Sequence, residues 1–225
     1  MNISCMAARS NGCACRNRAD AMLLSPPSIT VPGPVGGLDT LVVSPDGPPR
    51  GVAVVCHPNP TQGGTHGNKV VQTCAKALAS RGYVAYCPNL RGVGKSDGEH
   101  DYGHGEVDDV LAVAGFAQAQ FPGVPLILAG FSFGGFVAAH ARQRTEADGL
   151  ILMGPAVGRY PVPMPAEVPA DTLVIHGEED EVIALSTVLD WARPQSLPVV
   201  VFPGTTHFFH GKLVPLGRLI ARHVG

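Results

Sequence analysis

From residue 38 onward, short and almost wholly aliphatic runs alternate with longer segments whose apolar residues recur every three to four positions. Continuous aliphatic runs suit strands covered on both faces, and the longer spacing suits helices laid against them. The pattern predicts strands over residues 52–56, 83–87, 126–129, 150–153, 173–175 and 199–202. It predicts helices over 69–80, 106–120, 133–144, 185–192 and 213–223, with Gly82 as a stop just past the first. Two earlier segments, 28–31 and 38–43, read as an antiparallel hairpin leading into the sheet. Strand-helix alternation of this kind gives an α/β class: a mostly parallel central sheet with helices on both faces. No internal repeat is visible. Between the strands at Leu150 and Leu173, residues 154–171 hold Pro155, Pro161, Pro163, Pro165 and Pro169. Proline breaks any helix there and favours an extended path over the surface, and the stretch is too short for a lid domain.

Length and composition narrow the picture. The chain has 225 residues, of which 45% are hydrophobic and only 15% charged, so a single folded domain over residues 22–225 is expected. With 16 Lys+Arg against 18 Asp+Glu the net charge is −2, which offers no electrostatic footprint for nucleic acid or an anionic membrane. No stretch reaches the ~18–20 uninterrupted apolar residues of a membrane span. A small, neutral molecule is the better partner, and the oligomeric state is left open. Residues 1–21 carry Arg9, Arg16 and Arg18 against the single acid Asp20, without the apolar run of a secretory signal. They read as a leader or as a start assigned too early, with Met22 the natural beginning. All six cysteines, Cys5, Cys13, Cys15, Cys56, Cys74 and Cys87, fall in the first 87 residues rather than stapling the whole chain, which points to the reducing cytoplasm. Cys13 and Cys15 lack the spacing and the nearby histidine of a zinc pair, so neither metal nor cofactor is expected.

The sharpest chemical signal is Gly130-Phe131-Ser132-Phe133-Gly134, following the aliphatic run Leu126-Ile127-Leu128-Ala129 and opening a helical segment. Glycine two residues to either side lets the chain turn tightly, pushing the serine out at the carboxyl edge of the sheet. Ser132 could alternatively serve only as a helix cap, but the strand before and the Ala-rich helix after favour a nucleophile. A serine hydroxyl needs a histidine base and an acid to orient it. The strand ending at Ile175-His176-Gly177 runs into Glu178-Glu179-Asp180-Glu181, where Asp180 is the expected orienting acid and Glu178 and Glu179 are substitutes. After the last strand, the turn Pro203-Gly204-Thr205-Thr206 delivers His207 to the same edge as the expected base. His210 is its nearest competitor, whereas His140 and His176 read as structural. Developing oxyanion charge needs two main-chain N–H donors. Phe133 offers one. In the early loop His57-Pro58-Asn59-Pro60 only Asn59 can donate between the two prolines, so Asn59 is expected to supply the other.

These residues resemble the α/β-hydrolase superfamily over nearly all of the chain beyond the leader. His57-Pro58-Asn59-Pro60 through Gly63-Gly64, Asn89-Leu90-Arg91-Gly92-Val93-Gly94-Lys95-Ser96 and His207-Phe208-Phe209-His210-Gly211-Lys212 look like a lidless group of small bacterial serine hydrolases related to the dienelactone hydrolases. Dienelactone hydrolases carry cysteine at the nucleophile position, so their lactone substrate does not carry over to Ser132. Asn59 stands where that group often has a second histidine, which leaves a main-chain donor intact. The resemblance implies cleavage of small carboxylic esters through an acyl-enzyme intermediate, the activity of a carboxylesterase. Alternatives on the same fold are a thioesterase, a peptidase or a binding module without turnover.

Overall fold

The computed structural model describes residues 27–225, so the expectations for residues 1–21, for Met22 as a start and for Cys5, Cys13 and Cys15 lie outside the described residues. Eight strands form one sheet in the order β1-β2-β4-β3-β5-β6-β7-β8. They are β1 (Ser28–Gly33), β2 (Gly36–Val43), β3 (Gly51–Cys56), β4 (Tyr83–Pro88), β5 (Leu126–Phe131), β6 (Gly149–Met153), β7 (Leu173–Gly177) and β8 (Val199–Phe202). β2 runs antiparallel to both of its neighbours, and every other pairing, from β4 through β8, is parallel. The parallel register sets Cys56 opposite Gly130, Phe131 opposite Met153 and Gly177 opposite Phe202, which lines up the carboxyl ends of β3 and β5 to β8 as one rim.

Every residue of β3, β4, β5 and β7 is buried, as continuous aliphatic runs require when both faces are covered. Alternation along β3 divides the core. Val52, Val54 and Cys56 face the side covered by α2 (His104–Gln120), α3 (Phe133–Arg142) and α4 (Leu185–Ala192). Ala53 and Val55 face α1 (Lys69–Ala79) and α5 (Leu213–His223). Asn68 caps α1 by accepting the Val70 N–H at 2.8 Å. Among the described residues Cys56, Cys74 and Cys87 are buried, unpaired thiols whose ionisation burial suppresses. Among the described residues no helix is long and apolar enough to cross a membrane.

The predicted elements are all present, with their ends moved by local chemistry. α2 begins at His104 rather than Glu106, because the buried Glu106 carboxylate reaches back to accept the N–H groups of Asp101 and Gly103, each at 2.8 Å. α3 stops at Arg142, where the expected helix ran two residues further. The proline-rich stretch 154–171 corrects one expectation. It contains no helix or strand and no lid domain, yet it is not a mere surface path, since Ala156, Val157 and Met164 are buried in the core. Its carbonyls are tied down as well: Trp191 donates to Pro165 at 2.8 Å and His140 to Pro163 at 3.1 Å.

Candidate active site

At the end of β5 the chain reverses within one residue. Ser132 has φ 54° and ψ −115°, a conformation that costs an L-residue on the order of 1–3 kcal/mol. The crowding is visible in the flanking glycines: a Cβ on Gly130 would collide with the Gly134 main chain, and one on Gly134 with the carbonyl of Cys56. Surrounding bonds hold the turn, with the Ser132 N–H on the Met153 carbonyl at 2.9 Å and the Ser132 carbonyl accepting from Ala156 at 3.2 Å. The side chain makes no capping bond to α3. The helix-cap reading therefore fails, and the hydroxyl is aimed out of the elbow.

Its partner is His207, delivered by the turn after β8. Ser132 Oγ donates to His207 Nε2 at 3.0 Å, and His207 Nδ1 donates to Asp180 Oδ2 at 2.7 Å. A carboxylate only accepts, so Asp180 places the ring proton on Nδ1 and leaves Nε2 free to receive the serine proton. The ring is packed between Phe131 and Phe208, with centroids at 5.0 and 5.2 Å, and the His207 N–H is anchored on Glu181 at 3.2 Å. Asp180 is itself fixed, because its Oδ1 accepts the N–H groups of Val182 at 2.9 Å and Ile183 at 2.7 Å. Burial raises the affinity of this carboxyl for a proton, but the bonds from His207 and Ile183 outweigh it, so Asp180 stays below the ordinary carboxylate range.

The neighbours fall into place around this array. Glu178 accepts the Gly204 N–H at 2.9 Å and Glu179 is exposed, so neither stands in for Asp180. His210 is exposed and bonds to no member of the array. His176 donates its Nε2–H to the Ile183 carbonyl at 2.9 Å, and burial holds its pKa below the usual value, as expected of a structural histidine.

The loop after β3 brings Asn59 to the cleft that Ser132 and His207 line. Asn59 is itself fixed: its side chain accepts from Thr61 and its carbonyl from Gln62 and Gly64. Among the described residues no acceptor takes the main-chain N–H of Asn59 or of Phe133, the latter being free because it opens α3. Sequence reasoning assigned no role to His57, yet this residue positions the loop. Fully buried, its Nδ1–H donates to the Pro58 carbonyl at 2.7 Å while Nε2 accepts the Leu90 N–H at 3.0 Å. Burial lowers its pKa to about 4, so the ring is neutral. Also unforeseen was the support behind Phe133, whose ring packs on His100 at 5.3 Å, with His100 Nδ1 at 2.6 Å from the buried Glu106 carboxylate.

Over Ser132 the cleft divides into two small lobes that share Asn59, Gln62 and Val182. One, about 70 Å³, includes His207 and Phe208; the other, about 90 Å³, includes Ala156, Arg159, Tyr160 and Ile183. Among the described residues no three His, Cys, Asp or Glu side chains gather as a metal-ligand set.

The profile of the family described as serine aminopeptidase, S33, matches residues 47–170. An α/β serine hydrolase without a lid from Xanthomonas campestris is similar at 39% identity, covering 89% of this chain and 94% of that one, with a TM-score of 0.83. An α/β serine hydrolase homologue from Coxiella burnetii is similar at 35% identity over 90% of this chain and 99% of that one, TM-score 0.84. A monoacylglycerol lipase of Mycolicibacterium smegmatis matches at 32% identity over 133 residues, 56% of this chain and 46% of that protein.

Proposed function

Starting from a chain that belongs to the serine aminopeptidase S33 family of the α/β-hydrolase superfamily, we propose that it is a serine hydrolase of small carboxylic esters, with Ser132 as nucleophile, His207 as base and Asp180 as orienting acid. The observation that carries this reading is the continuous chain of two hydrogen bonds, 3.0 Å from Ser132 to His207 and 2.7 Å from His207 to Asp180.

Ser132 Oγ attacks the ester carbonyl as its proton passes to His207 Nε2. The N–H groups of Asn59 and Phe133 hold the oxygen that becomes negative. Collapse of the tetrahedral intermediate breaks the carbonyl–alkoxide bond, and His207 gives its proton to the departing alcohol. Water then attacks the acyl-enzyme, losing a proton to His207, which returns it to Ser132 as the acid leaves. Asp180 stays ionised throughout and stabilises the imidazolium. Lobes of 70 and 90 Å³ favour short acyl and alcohol groups. The monoacylglycerol lipase among the relatives supports ester over amide bonds. Three buried unpaired thiols fit a reducing cytoplasm.

Labelling with a fluorophosphonate tests the nucleophile: the native protein is expected to be labelled and Ser132→Ala to stay unlabelled. Rates on matched ester, thioester and amide substrates test the bond, with the ester fastest. An unlabelled native protein would instead favour a binding module without turnover.

A further inference from the structure

The two lobes beside Ser132 differ in chemistry, and the position of His207 assigns each a part of the substrate. A base that hands its proton to the leaving alcohol must lie beside that alcohol. The lobe that includes His207, walled by Pro58, Gly63, Gly64 and Phe208, therefore takes the alcohol. The opposite lobe, which touches Ser132 but not His207, takes the acyl group.

That acyl lobe contains one cation and no acid. Arg159 reaches it from the turn after β6, exposed, and among the described residues its guanidinium forms neither an ion pair nor a hydrogen bond. Beside it stands Tyr160, whose ring is wedged against Phe133 at 5.1 Å and Phe136 at 4.9 Å. Its hydroxyl meets no protein partner among the described residues. Burial raises this phenol to about 12, keeping it a proton donor at neutral pH. Gln62 adds an amide on the shared wall. A guanidinium without a protein partner and a phenol O–H, both on residues lining one lobe, are a donor set suited to a planar carboxylate.

Resting on the ester-hydrolase reading above, we propose that Arg159 and Tyr160 form an anion-binding acyl subsite, and that the preferred substrates are monoesters of short dicarboxylic acids. The size of the lobe limits the chain. At about 90 Å³ and open on one side, it suits a short acyl chain whose carboxylate reaches towards the exposed Arg159.

The test compares monoethyl glutarate with ethyl 4-carbamoylbutanoate, which has the same shape and no charge. The native protein should cleave the charged ester with a kcat/KM about tenfold higher, the scale of one charge-assisted hydrogen bond over a neutral one. Arg159→Gln should bring the ratio of the two esters to about one, Arg159→Lys should keep an intermediate ratio, and Arg159→Glu should reverse it. A ratio near one in the native protein, or a tenfold ratio that survives in Arg159→Gln, overturns the subsite alone. A native protein that cleaves neither ester and resists fluorophosphonate overturns the hydrolase reading and the subsite with it.

Discussion

His57 and His207 stand at the same rim of the sheet, after β3 and β8, both buried and both with each ring nitrogen engaged. The first lies between a main-chain carbonyl and a main-chain N–H. Neither can take up or release a proton at ordinary pH, so His57 serves as a pin for the Asn59 loop. The second lies between a carboxylate and a hydroxyl, partners that in the proposed reaction let His207 take the serine proton and pass it on. The residue type is shared, and the partners decide the role.

Removing each ring should separate the two roles. His207→Ala is expected to lower kcat on a small aryl ester by about 10⁴–10⁶-fold, and Ser132→Ala by a similar factor, because members of one such array fail together. A larger loss from His57→Ala than from His207→Ala would exchange the roles. Asp180→Asn should cost about 10⁴-fold in kcat, since an amide can no longer hold the Nδ1 tautomer or the imidazolium. His57→Ala should show its main effect in urea unfolding, at about 2–4 kcal/mol, because it strips partners from two buried main-chain groups. The same pin predicts a pH window. Its folded pKa of about 4 lies below the ordinary 6.5, so the unfolded chain takes up a proton that the folded one refuses. Stability from this group is complete above pH 6.5 and drains away as pH falls towards 4, by on the order of 3 kcal/mol. Urea midpoints at pH 7 and 4.5 should differ less in His57→Ala than in the native protein. The smallest effect is reserved for His210→Ala, whose kcat on the aryl ester should stay within about twofold of native, as the exposed ring touches no member of the array.

How much of this was legible in the sequence follows the range of the interactions. The elbow at Ser132 is written in consecutive residues, Gly130 being required by its contact with the Gly134 main chain although Gly134 itself is required by the distant Cys56 carbonyl, and aliphatic runs mark β5 and β8 without help. Asp180 was harder to distinguish, because Glu178, Glu179 and Glu181 share its charge and its loop. What separates them is direction: Asp180 turns inward where Val182 and Ile183 can grip it, while Glu178 is drawn aside to Gly204. His57 was opaque because its partner Leu90 lies 33 positions away and contributes only main chain. Main-chain partners leave no mark in composition. The buried anchors of residues 154–171 were hidden for another reason: proline density reports backbone stiffness and says nothing about which side chains between the prolines find a core.

The separation of Ser132 and His207 by 75 positions has a consequence for how this protein is made. During synthesis Ser132 leaves the ribosome first, while β8 is still untranslated. A nascent chain at that stage carries an alcohol with no imidazole to receive its proton. On the proposed mechanism, the hydroxyl meets its base only once β8 has paired with β7 and the turn after it has carried His207 to Ser132.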